Sequence, residues 1–156
     1  MNKTNVMRLL DKAKIKYETF EYEYDENDLS GVHAAEYLNI SPSTFYKTLV
    51  LKGSRNGVFV CCIAVDKELD LKKAASVFKD KSCEMIHVKD LLNIAGYMRG
   101  ACTPIGMKKH FQTFFDKNIL ELEYVYMSAG ARGLALKIKP KDMIGYTEAI
   151  IADLIK

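Results

Sequence analysis

The sequence predicts an α+β fold in which a mixed, barrel-like β-sheet of about seven strands is surrounded by about five helices. Short apolar runs typical of strands alternate irregularly with stretches of helical periodicity along all 156 residues. Glycine-containing loops between strands indicate antiparallel hairpins, while intervening helices also permit parallel pairing. No repeat, low-complexity tract or linker divides the chain, so one domain over residues 1–156 is expected.

The chain opens with an amphipathic helix followed by an aromatic strand. Apolar residues recur at helical spacing from Val6 to Ala13, and Thr4 is a suitable N-cap, so a helix is predicted over residues 4–14. Residues 17–24 place aromatic side chains at alternate positions, which predicts a strand with its aromatic residues on one face.

A helix, a helical turn and a hairpin are predicted next. Ser30 is suited to cap a helix that ends near Asn39, and Ser41-Pro42 predicts a short helical turn. Residues 45–52 and 57–65 are predicted to form a strand pair across a loop that contains glycine.

The second half of the chain continues the mixture of helices and strands. Asp70 is suited to cap one helix, and Gly96 closes another over residues 88–95. Pro140 opens a final helix, whose apolar positions continue at helical spacing as far as Leu154. The predicted strands of this half are residues 83–86, 111–115, 124–128 and 134–138.

The composition is that of a soluble globular protein, with 49% hydrophobic and 28% charged residues. No apolar run approaches the roughly 20 residues that a membrane-spanning helix needs, and no signal peptide is visible, so a cytoplasmic location without membrane contact is expected. The cysteines lack the spacing of a zinc site and are expected to be reduced thiols, mostly in the core. They are Cys61, Cys62, Cys83 and Cys102, of which Cys102 has neighbours that suggest an exposed loop. Neither a metal nor a cofactor is predicted.

Positive charge is unevenly distributed, although the formal net charge is only +3. Two segments, residues 91–115 and 124–141, contain no acidic side chain but carry several lysines and arginines. If these segments fold together, their cations would form a face that attracts phosphate. The candidate cations are Arg99, Lys108, Lys109 and Arg132. A solvated surface neutralised by other parts of the fold is the alternative.

Lys47 is the first residue with candidate chemistry. In the predicted strand over residues 45–52 it shares a face with Phe45, Leu49 and Leu51. An ammonium group on an apolar face either extends to solvent at the strand end or lies in a pocket, where it can hold a phosphate or polarise a carbonyl. Both interpretations remain open from the residues alone.

Two small-residue segments are candidate binding loops. Residues 96–106 contain three glycines and a proline, a composition that specifies backbone shape and can turn N–H groups toward a carbonyl or an oxyanion. Thr103 adds a hydroxyl group, and a purely structural loop is the alternative. The turn over residues 128–133 would allow close approach of a substrate to Ser128.

Several catalytic arrangements are missing from the sequence. His33, His87 and His110 have no evident serine or cysteine partner, and the H-E-x-x-H, G-x-S-x-G and G-x-G-x-x-G motifs do not occur. A protein of this kind would act by positioning, by electrostatic stabilisation or with help from its substrate.

Five motifs in a shared order resemble the YbaK/EbsC family of prolyl-tRNA editing proteins, and more narrowly its Cys-tRNA(Pro) deacylases. Together they extend over nearly the whole chain. The motifs are Leu9–Ile15, Phe45–Leu49, Leu69–Lys73, Gly96–Tyr97 with Thr103–Gly106, and Tyr126–Gly130 with Arg132–Leu134. The resemblance implies a mixed, barrel-like sheet surrounded by helices and a trans-editing deacylase.

The resemblance also implies roles for individual residues. Lys47 would be the catalytic lysine, which positions the tRNA 3′ end and opposes developing negative charge. A loop would bind the scissile carbonyl and the adjacent adenosine through its backbone. That loop comprises Gly100, Ala101, Cys102, Thr103 and Pro104. Tyr22, Ser128 and Gly130 would complete the pocket. In cysteine-selective members the substrate thiol attacks its own ester and leaves as a cyclic thiolactone, which accounts for the missing base.

Three positions depart from the family pattern, and they keep other functions open. Ala101 replaces a common glycine, Thr103 a serine, and Ala135 an acidic residue. Hydrolysis of Ala-tRNA(Pro), a non-catalytic adaptor that binds tRNA or a synthetase, and a small-molecule hydrolase using Cys102 are the alternatives. The expected partners are the acceptor 3′ end of an aminoacyl-tRNA and prolyl-tRNA synthetase, with the chain as a monomer or a homodimer.

Overall fold

The computed structural model describes residues 3–156, which form five α-helices and eight strands. The helices are α1 (Asn5–Lys12), α2 (Gly31–Leu38), α3 (Leu71–Val77), α4 (Val88–Ala95) and α5 (Pro140–Thr147). The strands are β1 (Tyr17–Glu21), β2 (Tyr46–Gly53), β3 (Gly57–Ala64), β4 (Cys83–Met85), β5 (Thr113–Asp116), β6 (Val125–Ala131), β7 (Leu134–Ile138) and β8 (Ile150–Ala152). Two short 3₁₀ helices are Pro42–Thr44 and Lys117–Glu121. Met1 and Asn2, which the domain prediction included, lie outside the described residues.

The strands form two sheets. One is antiparallel, with the order β1-β7-β6, and the other is mixed, with the order β4-β2-β3-β5-β8. In the mixed sheet β3, β5 and β8 are parallel, whereas β2 is antiparallel to both β3 and β4. An isolated parallel bridge between Phe45, which precedes β2, and Tyr126 of β6 joins the two sheets. The prediction of a mixed α+β fold is therefore confirmed.

The three-stranded sheet packs apolar residues on both faces. On its inner face, Met127, Leu136 and the residues at alternate positions of the same strands belong to the main core. The buried face of α1 packs into this core as well. Its outer face lies under α2, where Ala34, Ala35 and the fully buried Ala135 pack together. A separate core lies on the other face of the five-stranded sheet, against α3. A one-residue slip of β7 would exchange Ala135 under α2 with Leu136 in the main core, so the different packing on the two faces holds the register.

Capping side chains begin the helices where the sequence predicts. Thr4 accepts a hydrogen bond from the backbone N–H of Met7, and Ser30 does the same from His33. Asp70 accepts from two backbone N–H groups at the start of α3. Each cap satisfies a backbone donor that has no partner within its helix.

The prediction of a long final helix is wrong. α5 ends at Thr147, because Glu148 adopts a left-handed backbone conformation with φ 54°. The apolar residues that follow form β8 instead, in which Ile150 and Ile151 pair with Phe114 and Phe115 of β5. Parallel pairing with a buried strand thus overrides the helical spacing of these residues, and β8 is the eighth strand. Among residues 3–156 no helix has the length and apolar character needed to cross a bilayer.

Candidate active site

Lys47 lies in β2 opposite Ile63 of β3, and its side chain is half-buried. Burial disfavours the ammonium form and lowers the pKa of Lys47, while the carboxylates of Glu68 and Asp66 act in the opposite direction. The amine therefore lies at the boundary between an apolar sheet face and a region of negative charge. Such a group can bind an anion or polarise a carbonyl oxygen.

The predicted loop over residues 100–104 is a compact turn rather than a flexible connection. Gly100 begins it with φ 89°, a conformation that favours glycine. A methyl group on Gly100 would also lie 3.2 Å from the side chain of Leu29. Thr103 is fully buried, and its hydroxyl has no hydrogen-bond partner among the described residues. A buried hydroxyl without a partner carries a free-energy penalty, and a bound water or ligand group would relieve it.

Ser128 connects this loop to β6. Its Oγ donates a hydrogen bond of 2.9 Å to the carbonyl oxygen of Ala101 and accepts one of 3.1 Å from the N–H of Gly130. Gly130 has φ 95° and lies against Val6 of α1, so its role in the structure is to shape the strand. The predicted residues Ser128, Gly130 and Ala101 therefore belong to one hydrogen-bonded unit.

Lys47 and this unit are related through the junction of the two sheets. An isolated parallel bridge joins Phe45, the residue before β2, to Tyr126 of β6. Lys47 and Ser128 each lie two residues beyond this bridge along the chain. That Lys47 and the loop held by Ser128 line a common site stays a prediction.

Tyr22 and the Gly100 end of the loop line the same cavity. Leu29, His33 and Arg132 line it as well. The cavity has a free volume of only about 10 Å³, because the segment before α2 folds over Gly100. Burial raises the pKa of Tyr22, so its phenol stays protonated and can donate a hydrogen bond. Pro104, at the other end of the loop, lines a separate cavity of about 230 Å³.

The predicted tRNA-binding cations separate into two groups. The Nε of Arg132 donates a hydrogen bond of 2.9 Å to the carbonyl oxygen of Arg99, which places both beside Gly100. Lys109 lines the cavity that also contains Pro104, whereas the Lys108 side chain lies over Gly96 at the end of α4. The prediction of one common cationic face stays a prediction for these four residues.

Cys102 and His33 are the groups near the loop that could act as a nucleophile or a base. Burial raises the pKa of the Cys102 thiol to about 12, so its reactive thiolate is disfavoured near neutral pH. The Nε2 of His33 is 3.2 Å from the carbonyl oxygen of Glu23, and its Nδ1 lies 4.0 Å from a carboxylate oxygen of Asp28. His33 is therefore engaged in holding local structure, and Cys102 is kept in its protonated form.

Two features of this region were not predicted. One is the contact of Leu29 with Gly100, and the other is the hydrogen bond between Ser128 and Ala101, which are 27 residues apart. A serine within a run of small residues was a signal for Ser128, but its partner could not be identified without the pairing of the sheets. No sequence pattern marked Leu29.

Comparison with known proteins shows the class of protein to which this chain belongs. The aminoacyl-tRNA editing domain family matches residues 29–146, so the chain belongs to this family. EbsC of Enterococcus faecalis, whose name gives Cys-tRNA(Pro)/Cys-tRNA(Cys) deacylase as its proposed activity, is 38% identical over 152 residues. The alignment covers 97% of this chain and 93% of EbsC.

Other similarities extend to synthetases and to solved structures. A proline–tRNA ligase of Brachyspira hyodysenteriae is 24% identical over 119 residues, which cover 70% of this chain and 21% of the ligase. A crystal structure described as a proposed trans-editing enzyme for prolyl-tRNA synthetase superposes with a TM-score of 0.84 at 19% identity. That superposition covers 100% of this chain and 99% of the other, and it shows a shared fold.

Proposed function

We propose that this aminoacyl-tRNA deacylase acts in trans and releases cysteine from Cys-tRNA(Pro). The observation that carries the proposal is the hydrogen bond from Ser128 to Ala101, near the bridge that joins Phe45, two residues before Lys47, to Tyr126. The similarity to EbsC over nearly the whole of both chains supports a deacylase with this substrate class. The similarity to part of a proline–tRNA ligase supports prolyl-tRNA synthetase as a working partner.

In the proposed reaction the substrate supplies the nucleophile. The cysteine thiol attacks its own ester carbonyl, so a carbon–sulfur bond forms and the bond from that carbon to the ribose oxygen breaks. The products are a four-membered thiolactone and the free 3′ end of the tRNA, and the thiol proton is transferred overall to the released ribose oxygen. This scheme suits a site where the thiol of Cys102 stays protonated and His33 is hydrogen-bonded to the backbone.

The protein contributes position and charge in this proposal. The backbone of the loop at Gly100 holds the ester carbonyl, where turn N–H groups can stabilise a developing oxyanion. Lys47 binds the 3′ end and opposes the negative charge that appears on oxygen in the transition state. Its partial burial increases the strength of that interaction, because water screens it less.

Deacylation assays with purified protein test the substrate and the mechanism. We expect rapid release from Cys-tRNA(Pro), slow release from Ala-tRNA(Pro) and none from Pro-tRNA(Pro). Methylation of the substrate sulfur should abolish release, because a thioether has no proton to lose and cannot form the thiolactone. Comparable rates with cysteine and alanine would instead indicate hydrolysis by water.

Variants of Lys47 test the assigned site. Lys47→Ala should lower kcat/KM by about 10²-fold or more, in the range expected for loss of one electrostatic contact to the transition state. Lys89→Ala, which removes an exposed lysine on α4, is the matched control and should retain activity. Full activity of Lys47→Ala would refute the site, and salt-sensitive tRNA binding without deacylation by the unmodified protein would indicate an adaptor.

A further inference from the structure

A cleft of about 940 Å³ opens at the end of the three-stranded sheet, away from Gly100. It lies between the turn that follows α1 and the last residues of β7. Four lysines line it, and they are Lys14, Lys16, Lys137 and Lys139. Three carboxylates also line it, and they are Asp11, Glu18 and Asp142. None of these residues belongs to the candidate active site.

Part of the negative charge in the cleft is already neutralised. Asp11 forms an ion pair with Lys3 and accepts a hydrogen bond from the hydroxyl of Tyr17. Glu18 lies 3.8 Å from the Nζ of Lys137. Within residues 3–156, no ion pair involves the three other lysines of the cleft, Lys14, Lys16 and Lys139. The cleft therefore offers unpaired ammonium groups to an anionic ligand.

The cleft and Ser128 lie along the same face of the three-stranded sheet, on which α2 packs at Ala135, the strand partner of Ser128. Lys137 pairs across the strands with Tyr126, and its ammonium lies 4.5 Å from the ring centre of Tyr124. Tyr124, Tyr126 and Ser128 occupy alternate positions along the chain, so they share this face. With a rise of about 3.3 Å per residue and about 4.8 Å between strands, the backbones of Lys137 and Ser128 are separated by about 8 Å.

We propose that this cleft binds the sugar–phosphate backbone of the tRNA next to its acylated 3′ end. The inference rests on the proposed function, because that function places an RNA end at Ser128. Phosphates leading away from the ester would then meet Lys137 first and Lys16 and Lys139 beyond it. Tyrosine rings between cations are a common arrangement at surfaces that bind unpaired nucleotides. The opposite route would pass Arg132, at the other end of β7.

Binding and cleavage measured as functions of salt concentration test the cleft. The double variant Lys16→Gln/Lys139→Gln removes two ammonium groups without altering the loop or Lys47. Loss of two phosphate contacts should reduce the slope of log affinity against log salt by about 1.4 to 1.8 for uncharged tRNA. The unmodified protein should therefore lose about tenfold more affinity than the variant between 50 and 200 mM salt.

A truncated substrate separates this proposal from the proposed function. The ratio of kcat/KM for Cys-tRNA(Pro) to that for a cysteine ester of adenosine should fall about tenfold in the variant at low salt. A charge-matched double variant on α3 and α4, Lys72→Gln/Lys89→Gln, should leave the ratio and the salt slope unchanged. Equal losses on both substrates, or an unchanged salt slope, would overturn the proposal for the cleft.

The two proposals can fail independently. If the unmodified protein cleaves neither substrate, the proposed function fails, whereas the salt dependence of binding to uncharged tRNA still decides the cleft. If Arg132→Gln lowers the salt slope and the lysine double variant does not, the tRNA follows the opposite route and the cleft is refuted.

Discussion

Replacement of Ser128 by alanine should show how much the loop depends on one hydroxyl group. Ser128→Ala removes the 2.9 Å hydrogen bond to the carbonyl of Ala101 and the 3.1 Å hydrogen bond from the N–H of Gly130. Each bond contributes a net amount of about 0.5 to 1.5 kcal/mol, so the free energy of unfolding should fall by about 1 to 3 kcal/mol. For a chain of this size each kcal/mol lowers Tm by about 2 to 4 °C.

The same substitution should reduce deacylation, because the loop would no longer be held at the carbonyl of the substrate. If the whole loss of free energy comes from displacement of the loop, kcat/KM falls by up to about a hundredfold, because each 1.4 kcal/mol corresponds to a factor of ten. Urea denaturation and kcat/KM for Cys-tRNA(Pro) measure the two effects. Ser76→Ala, at an exposed serine of α3, is the control and should change stability by less than about 0.5 kcal/mol. If Ser128→Ala keeps the wild-type free energy of unfolding and the wild-type kcat/KM, the role of Ser128 in holding the loop is refuted.

Two further substitutions test other parts of the structure. Ala135→Asp restores the type of side chain that the family often carries, but Ala135 is fully buried under α2. Urea denaturation should therefore show a loss of several kcal/mol in the free energy of unfolding. An unchanged urea midpoint would mean that the site is open to water. Asp80 accepts hydrogen bonds from Ser54 and Asn56, which hold its pKa well below 3.8. Its carboxylate therefore stabilises the fold above about pH 4 and loses that effect as pH falls through the lowered pKa. The stability difference between the wild type and Asp80→Asn should shrink between pH 5 and pH 2, and a difference independent of pH would contradict this assignment.

Local signals were sufficient to predict most of the elements. Thr4, Ser30 and Asp70 cap their helices through side-chain hydrogen bonds to nearby backbone N–H groups, so a few neighbouring residues contain the necessary information. Local signals were not sufficient for the segment after α5. Its apolar spacing suits a helix, and only the neighbouring strand β5 decides that it forms β8. A single sequence does not show which distant strand will lie beside such a segment.

The residues of the candidate site could be proposed from the sequence, but the contacts between them could not be predicted. Lys47 and the loop over residues 100–104 were identifiable from an unusual lysine and from a cluster of glycine and proline. The hydrogen bond from Ser128 to Ala101 depends on the pairing of β6 with its neighbours, which is a property of the whole fold. The burial of Cys102 had the same origin, since its polar and small neighbours suggested an exposed loop.

The proposed mechanism also explains how a small site could be selective. Cysteine, alanine and proline are similar in size, and one methylene group in an apolar pocket discriminates by only about 1 to 3 kcal/mol. A reaction that requires the substrate thiol avoids this limit, because alanine and proline have no nucleophile to contribute. The protein then needs an accurately held carbonyl and one opposing charge, which the loop tethered by Ser128 and the ammonium of Lys47 would supply. Selectivity would thus come from the chemistry of the bound amino acid, and a close fit around its side chain would be unnecessary.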